Sequence, residues 1–161
     1  MCRVSDIEIR PTRYLAPVAR ALIAAAADDL RARYGSELDL TPSEAFEYDP
    51  PDGAFLVAWR NGVPVGCAGW RSFGDDEKIA ELKRMYVDPM ARGVGVATAL
   101  LEAAEESAVA HGRTRMILEC GGDQPEAAAL YERCGYSRID NFGAFARYET
   151  TLSFGRDLPV P

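Results

Sequence analysis

Residues 80–101 read AELKRMYVDPMARGVGVATALL, and this stretch constrains the fold more than any other. A β-like run halts at Asp88-Pro89, glycines follow at 93 and 95, and a helical pattern of small residues and leucines begins. A strand that leaves through a helix returns parallel to itself, so the next β-like run, Arg115 to Cys120, is predicted to pair parallel with it. The glycines let backbone approach a ligand with no Cβ in the way. The first amides of a helix have no internal acceptor and favour an anion. Residues 78–92 hold four basic side chains (Lys78, Lys83, Arg84, Arg92) against two acids (Glu81, Asp88). A locally positive loop in a chain of net charge -7 points to an anionic ligand at this loop.

The rest of the chain supplies antiparallel partners. Val4 to Arg10 reads as a strand ended by Pro11, and Tyr14 to Tyr34 as an amphipathic helix with Pro17 in its first turn and Gly35 beyond its end. Residues 36–53 are polar, with one short helix after Thr41. Ala54 to Arg60 and Val63 to Phe73 flank Asn61-Gly62, a hairpin turn because both residues accept positive φ. Lys78 to Val87 is the following strand. Gly95 to Ala110 and Gln124 to Cys134 read as helices, and Tyr136 to Asn141 and Tyr148 to Phe154 as the last strands. The expected fold is α/β, of the α+β kind: a central mixed, mostly antiparallel sheet of about seven strands flanked by helices. Residues 1–161 are expected to form a single domain, since domains average about 150 residues.

Composition removes several function classes. The acidic balance, 25 Asp and Glu against 18 Lys and Arg, disfavours nucleic acid as a partner. The longest apolar runs, Ala21–Ala27 and Ala54–Trp59, fall short of the ~18 residues that cross a bilayer. No membrane partner is expected, and with no signal-like N-terminus the expected compartment is cytoplasmic. Cysteines at 2, 67, 120 and 134 lack metal spacing, so no metal is expected and the thiols read as mostly buried. The one histidine, His111, precedes Gly112 and reads as a helix cap rather than a catalytic partner. Most aromatics, among them Trp59, Trp70, Phe142, Phe145, Tyr148 and Phe154, read as packing.

Two phosphate motifs are absent: no Walker A string occurs, and Thr98 stands where a dinucleotide fingerprint needs its third glycine. Arg92, Gly95 and Ala97 instead spell R-x-x-G-x-A, which resembles motif A of the GNAT superfamily of acyl-CoA-dependent N-acetyltransferases. Gln124-Pro-Glu-Ala-Ala-Ala-Leu130-Tyr131-Glu-Arg-Cys-Gly135-Tyr136 resembles that family's motif B, with Gln124 where asparagine is commoner. The element order matches as well. The resemblance implies acetyl-CoA as co-substrate. Its pyrophosphate would lie on Arg92, Gly93, Val94, Gly95, Val96, Ala97 and Thr98, and Gln124 would make a further cofactor contact. Its pantetheine arm would pair with Met85, Tyr86 and Val87 as an added strand. A bulge and a splay between this strand and the one at 115–120 are implied too.

The implied reaction is direct attack of a primary amine, on a small molecule or a protein, on the thioester. At pH 7 only about one lysine-like amine in 10³ is neutral, so a base must take its proton. Glu81, eleven residues before Arg92, stands where histone acetyltransferases of the superfamily carry a catalytic glutamate; Glu119 is the alternative. Tyr131 resembles the tyrosine that hydrogen-bonds the departing thiolate. The competing reading is a non-catalytic acyl-CoA-binding sensor; a third, acylation of aminoacyl-tRNA, is disfavoured by the net acidity. A homodimer contact through the C-terminal strand is implied by resemblance alone. Residues 37–52 hold six acids (Glu37, Asp39, Glu44, Glu47, Asp49, Asp52) and no base, which predicts a cationic acceptor.

Overall fold

The computed structural model describes residues 6–34, 45–121, 124–143 and 146–159. Their elements are β1 (Ile7–Pro11), α1 (Pro17–Tyr34), β2 (Gly53–Arg60), β3 (Val63–Phe73), β4 (Asp76–Val87), α2 (Val96–Ala110), β5 (Arg115–Gly121), α3 (Pro125–Arg133), β6 (Ser137–Ile139) and β7 (Thr151–Asp157). Short 3₁₀ turns lie at Ala45–Tyr48 and Pro89–Ala91. The seven strands form one sheet in the order β1-β2-β3-β4-β5-β7-β6. Every neighbouring pair is antiparallel except β4 with β5, the pair joined through α2. The mixed, mostly antiparallel sheet expected from the hairpin and crossover signals is therefore the fold observed.

Alternation along the strands builds two apolar layers. Ala80 and Leu82 of β4, Met116 and Leu118 of β5 and Phe154 of β7 pack in one cluster with Leu100, Leu101 and Ala104 of α2 and Tyr131 of α3. On the other face Phe55, Val57, Cys67 and Tyr86 pack with Ala19, Leu22 and Ala26 of α1 and with Tyr48. Trp70 is fully buried and donates its indole N–H to Ser107 Oγ of α2 at 3.0 Å.

The sequence expectations differ from the structure mainly at element ends. The first helix starts at Pro17, not Tyr14. The penultimate strand is only Ser137–Ile139. The last strand is shifted to Thr151–Asp157, leaving Tyr148 half exposed in a turn rather than packed. It inserts between β5 and β6, so the sheet edge is β6 and the C-terminal strand is paired on both sides. Val4, Gly35, Phe145 and the start of the segment after Thr41 lie outside the described residues.

Candidate active site

The cleft begins where β4 and β5 part. They pair at Ile79↔Arg115, Ala80↔Met116 and Glu81↔Ile117, and no further pairs follow. The C-terminal halves, Leu82–Val87 and Leu118–Gly121, are thus free of one another. On its other edge β4 carries an extra residue, because Gly69 pairs with Lys83 but Cys67 with Tyr86. Arg84 occupies this bulge with φ +60°, and its carbonyl accepts a hydrogen bond from the buried Cys67 thiol at 3.3 Å. An inserted residue reverses the side-chain alternation. Upstream Glu81 and Lys83 point to the α1 face, and downstream Tyr86 does so instead, while Met85 and Val87 join the α2 face.

Both α2 and α3 start from the parted ends of these strands. Gly93 and Gly95 have φ of +83° and +92°, left-handed values that explain why glycine stands at both. A Cβ at either position would meet nothing within 4 Å, so the loop faces open space. Gly95 caps α2 without a side chain, and the first intrahelical bond is Ala99 N–H to Gly95 O at 3.0 Å. The amides of Val96, Ala97 and Thr98 therefore have no acceptor in the helix. Arg92 ties the loop down, donating Nε–H to Val87 O at 3.1 Å and lying 3.5 Å from Asp29 of α1. Gln124 caps α3, with no side-chain hydrogen bond to the helix.

Tyr131 is buried on α3 between Tyr136 and Phe154, each ring centroid 6.0 Å away. Among the described residues its hydroxyl has no hydrogen-bond partner. Burial pushes this phenol well above its ordinary range, so it stays protonated and keeps its proton available to donate.

On the α1 face a cavity of about 300 Å³ is lined by Glu47, Arg71, Phe73, Glu81, Lys83 and Glu119, among others. Arg71 bridges Glu47 and Glu81, its Nε lying 3.0 Å from Glu81 Oε1. Lys83 Nζ stands between the two candidate bases, 4.0 Å from Glu81 and 3.8 Å from Glu119. Burial raises the Glu119 carboxyl above its usual range, partly offset by Lys83; burial also lowers the Lys83 ammonium. A ring contact between Phe73 and Phe142, centroids 5.3 Å apart, joins the β3–β4 turn to the segment before β7 beside this cavity.

Sequence reasoning named Glu81, Glu119 and the glycine loop; Glu81 and Glu119 line one cavity, and the loop, which follows β4, is not part of that lining. Sequence reasoning missed Arg71, for which alternation on β3 was the available signal, and it read Lys83 as part of the loop's positive charge, whereas Lys83 lies between Glu81 and Glu119. Of the acidic segment, Glu37, Asp39 and Glu44 lie outside the described residues. Glu47 is held by Arg71, and Asp52 lies 3.6 Å from Arg113. His111 is the C-cap of α2, its ring Nδ1 2.8 Å from Ser107 O. Cys67 is buried and its thiol is pushed up to about 12 by burial, whereas Cys120 and Cys134 are half-buried and free. Among the described residues no group of three or more His, Cys, Asp or Glu could hold a metal, and no helix is long and apolar enough to cross a membrane.

The sheet parts at its one parallel pair, and an unpaired helix start lies at the opening. The profile of the Acetyltransferase (GNAT) family matches residues 23–136, and the chain belongs to that family; it is an acetyltransferase. An IAA acetyltransferase from Azospirillum brasilense is 40% identical over 108 residues, 67% of this chain and 70% of that protein. The human N-acetylaspartate synthetase is 32% identical over 120 residues, 74% of this chain but only 39% of that protein. Among solved structures, an acyl-CoA N-acyltransferase-class protein from Klebsiella pneumoniae superposes with TM-score 0.78 at 27% identity, covering 94% of this chain and 97% of that one. A GNAT acetyltransferase from Elizabethkingia anophelis with acetyl-CoA bound has TM-score 0.68 at 17% identity, covering 95% and 99%.

Proposed function

We propose that the protein transfers the acetyl group of acetyl-CoA to a primary amine by direct attack on the thioester. The observation that carries this reading is the parting of β4 from β5 beyond Glu81 and Ile117, with the open amides of α2 at one side and a carboxylate-lined cavity at the other. The loop from Arg92 to Thr98 would take the pyrophosphate, whose charge the helix start favours. The free edge of β4 at Met85, Tyr86 and Val87 would pair with the pantetheine amides, and Gln124 lies at the opposite lip.

The chain's own groups then divide the work. An amide near Met85–Val87 would polarise the thioester carbonyl, and donors fixed in advance at that oxygen stabilise the charge that develops there. A cavity carboxylate, Glu81 or Glu119, takes the proton of the incoming ammonium. The Tyr131 hydroxyl, held protonated by burial, donates a hydrogen bond to the departing sulfur. The small, ring-flanked cavity supports a small-molecule acceptor over a protein one, in keeping with relatives named IAA acetyltransferase and N-acetylaspartate synthetase.

Calorimetry with acetyl-CoA, followed by a thiol-release screen with phenethylamine, putrescine, L-aspartate and a lysine peptide, tests this. Binding together with amine-dependent release of CoA is the expected result. Binding without release for any amine would make the chain an acyl-CoA sensor instead.

A further inference from the structure

Two candidate bases share the cavity, and their partners separate them. Glu81 Oε1 already accepts from Arg71 at 3.0 Å, and its Oε2 lies near Lys83. It also sits at the last paired position of β4 and β5, at the closed end of the opening. Glu119 lies two residues past the last pair, where the strands have parted. Its Oε2 is buried and accepts no hydrogen bond among the described residues, although Oε1 lies 3.8 Å from Lys83.

A second atom nearby is in the same condition. Ser153 of β7 is the register partner of Glu119, and cross-strand partners project from the same face of a sheet. Ser153 is fully buried, and among the described residues its hydroxyl has no partner either. Leaving a buried polar group unpaired is costly, so such groups are rare unless a ligand or an ordered water completes them. Two on adjacent strands, on the face that carries the cavity, mark a place built for a polar group.

We propose that Glu119 rather than Glu81 is the base that receives the acceptor's proton, with Lys83 as its positioning residue. This rests on the amine-acetylating function proposed above. The groups that face Glu119 are Lys83 and Glu81 from β4, Arg71 from β3 and Ser153 from β7. Burial raises its carboxyl, which brings the base closer to working pH. Glu81, bound to Arg71, instead fixes the guanidinium that closes the far wall.

In the step itself, the acceptor ammonium gives one proton to the Glu119 carboxylate. The neutral nitrogen forms a bond to the thioester carbonyl carbon, and the carbon–sulfur bond breaks. The sulfur leaves with the bonding pair, steadied by Tyr131, and takes the second nitrogen proton as free CoA thiol. Glu119 then returns its proton to solvent.

The test is kcat/KM against pH, with acetyl-CoA and whichever amine of the panel the parent protein acetylates best. The parent should lose activity as pH falls through the ionisation of its base. That acid limb should persist in Glu81→Gln and vanish in Glu119→Gln, together with a fall in rate of about 10² to 10⁴. Lys83→Met should move the limb to higher pH, because removing a neighbouring cation favours the protonated carboxyl, and Lys83→Arg should restore it. The Lys83 pair shows that a carboxylate beside this ammonium carries the limb, and Glu81→Gln, which leaves Glu119 in place, separates the two carboxylates even where a Glu119 variant folds poorly. A limb that survives Glu119→Gln in a folded variant, vanishes in Glu81→Gln or ignores Lys83→Met would overturn the assignment while leaving acetyl transfer intact. A parent that binds acetyl-CoA and acetylates no amine would overturn both.

Discussion

Arg71 and Glu81 face one another as register partners across β3 and β4, joined by a 3.0 Å hydrogen bond from Nε to Oε1. The same guanidinium also binds Glu47, which precedes β2. One side chain thus closes the cavity wall from three separate segments.

Removing it should be costly. Arg71→Met leaves Glu81, 7% exposed, and Glu47 without their shared cation. Breaking a buried pair from one side costs about 3 kcal/mol or more. Urea denaturation should show a loss of that order, whereas replacement of the exposed pair Arg10–Glu8 should leave stability nearly unchanged.

Gly95→Glu should weaken acetyl-CoA binding by about a hundredfold. It forces a side chain into a φ of +92° and sets a negative charge at the start of α2. Each contribution is worth about 1–2 kcal/mol, and each 1.4 kcal/mol is tenfold in affinity. Calorimetry measures this directly, and unchanged affinity in a folded variant would remove the loop from the cofactor site.

Tyr131→Phe keeps the ring between Tyr136 and Phe154 and deletes only the hydroxyl. The expected result is a fall in kcat of about 10², the scale of a positioned acid, with acetyl-CoA affinity nearly unchanged. Turnover at the parent rate would make the tyrosine a packing residue. Since burial raises this phenol, it should contribute no basic limb near neutral pH.

The pH dependence of stability gives a fourth check. The folded Glu119 carboxyl ionises at higher pH than in the unfolded chain, so the folded state binds more protons across that window. Its contribution to stability therefore falls as pH rises from the ordinary carboxyl range through the folded value. Above that window the ionised group is a standing cost. Glu119→Gln, which cannot ionise, should melt at higher temperature than the parent at pH 8, and the difference should shrink as pH falls toward the ordinary carboxyl range. A variant less stable than the parent at pH 8 would mean that its pairing with Lys83 outweighs burial.

Much of the fold was legible in local chemistry. Asn61-Gly62 set the β2–β3 hairpin, because positive φ is accessible to both residues. Gly95 marked the start of α2, which the structure keeps within a residue, whereas α1 begins at Pro17, three residues after the expected Tyr14. The cofactor loop was legible for the same reason, since glycines at 93 and 95 answer a backbone requirement that shows in sequence. Less legible was the end of the sheet. Ser137–Ile139 is too short to display alternation, and nothing local announces that β7 inserts between β5 and β6.

The sequence by itself determined the elements, the parallel crossover through α2 and the residue types at the loop, because turns, helix starts and alternation depend on near neighbours. Only the tertiary structure decided which carboxylate is engaged. Arg71, Glu47, Glu81, Lys83, Glu119 and Ser153 come from four strands and a 3₁₀ turn, and their pairing depends on register and on the splay of β4 from β5. A carboxylate's chemistry follows from what surrounds it, and here those surroundings are assembled by contacts between residues distant in the chain.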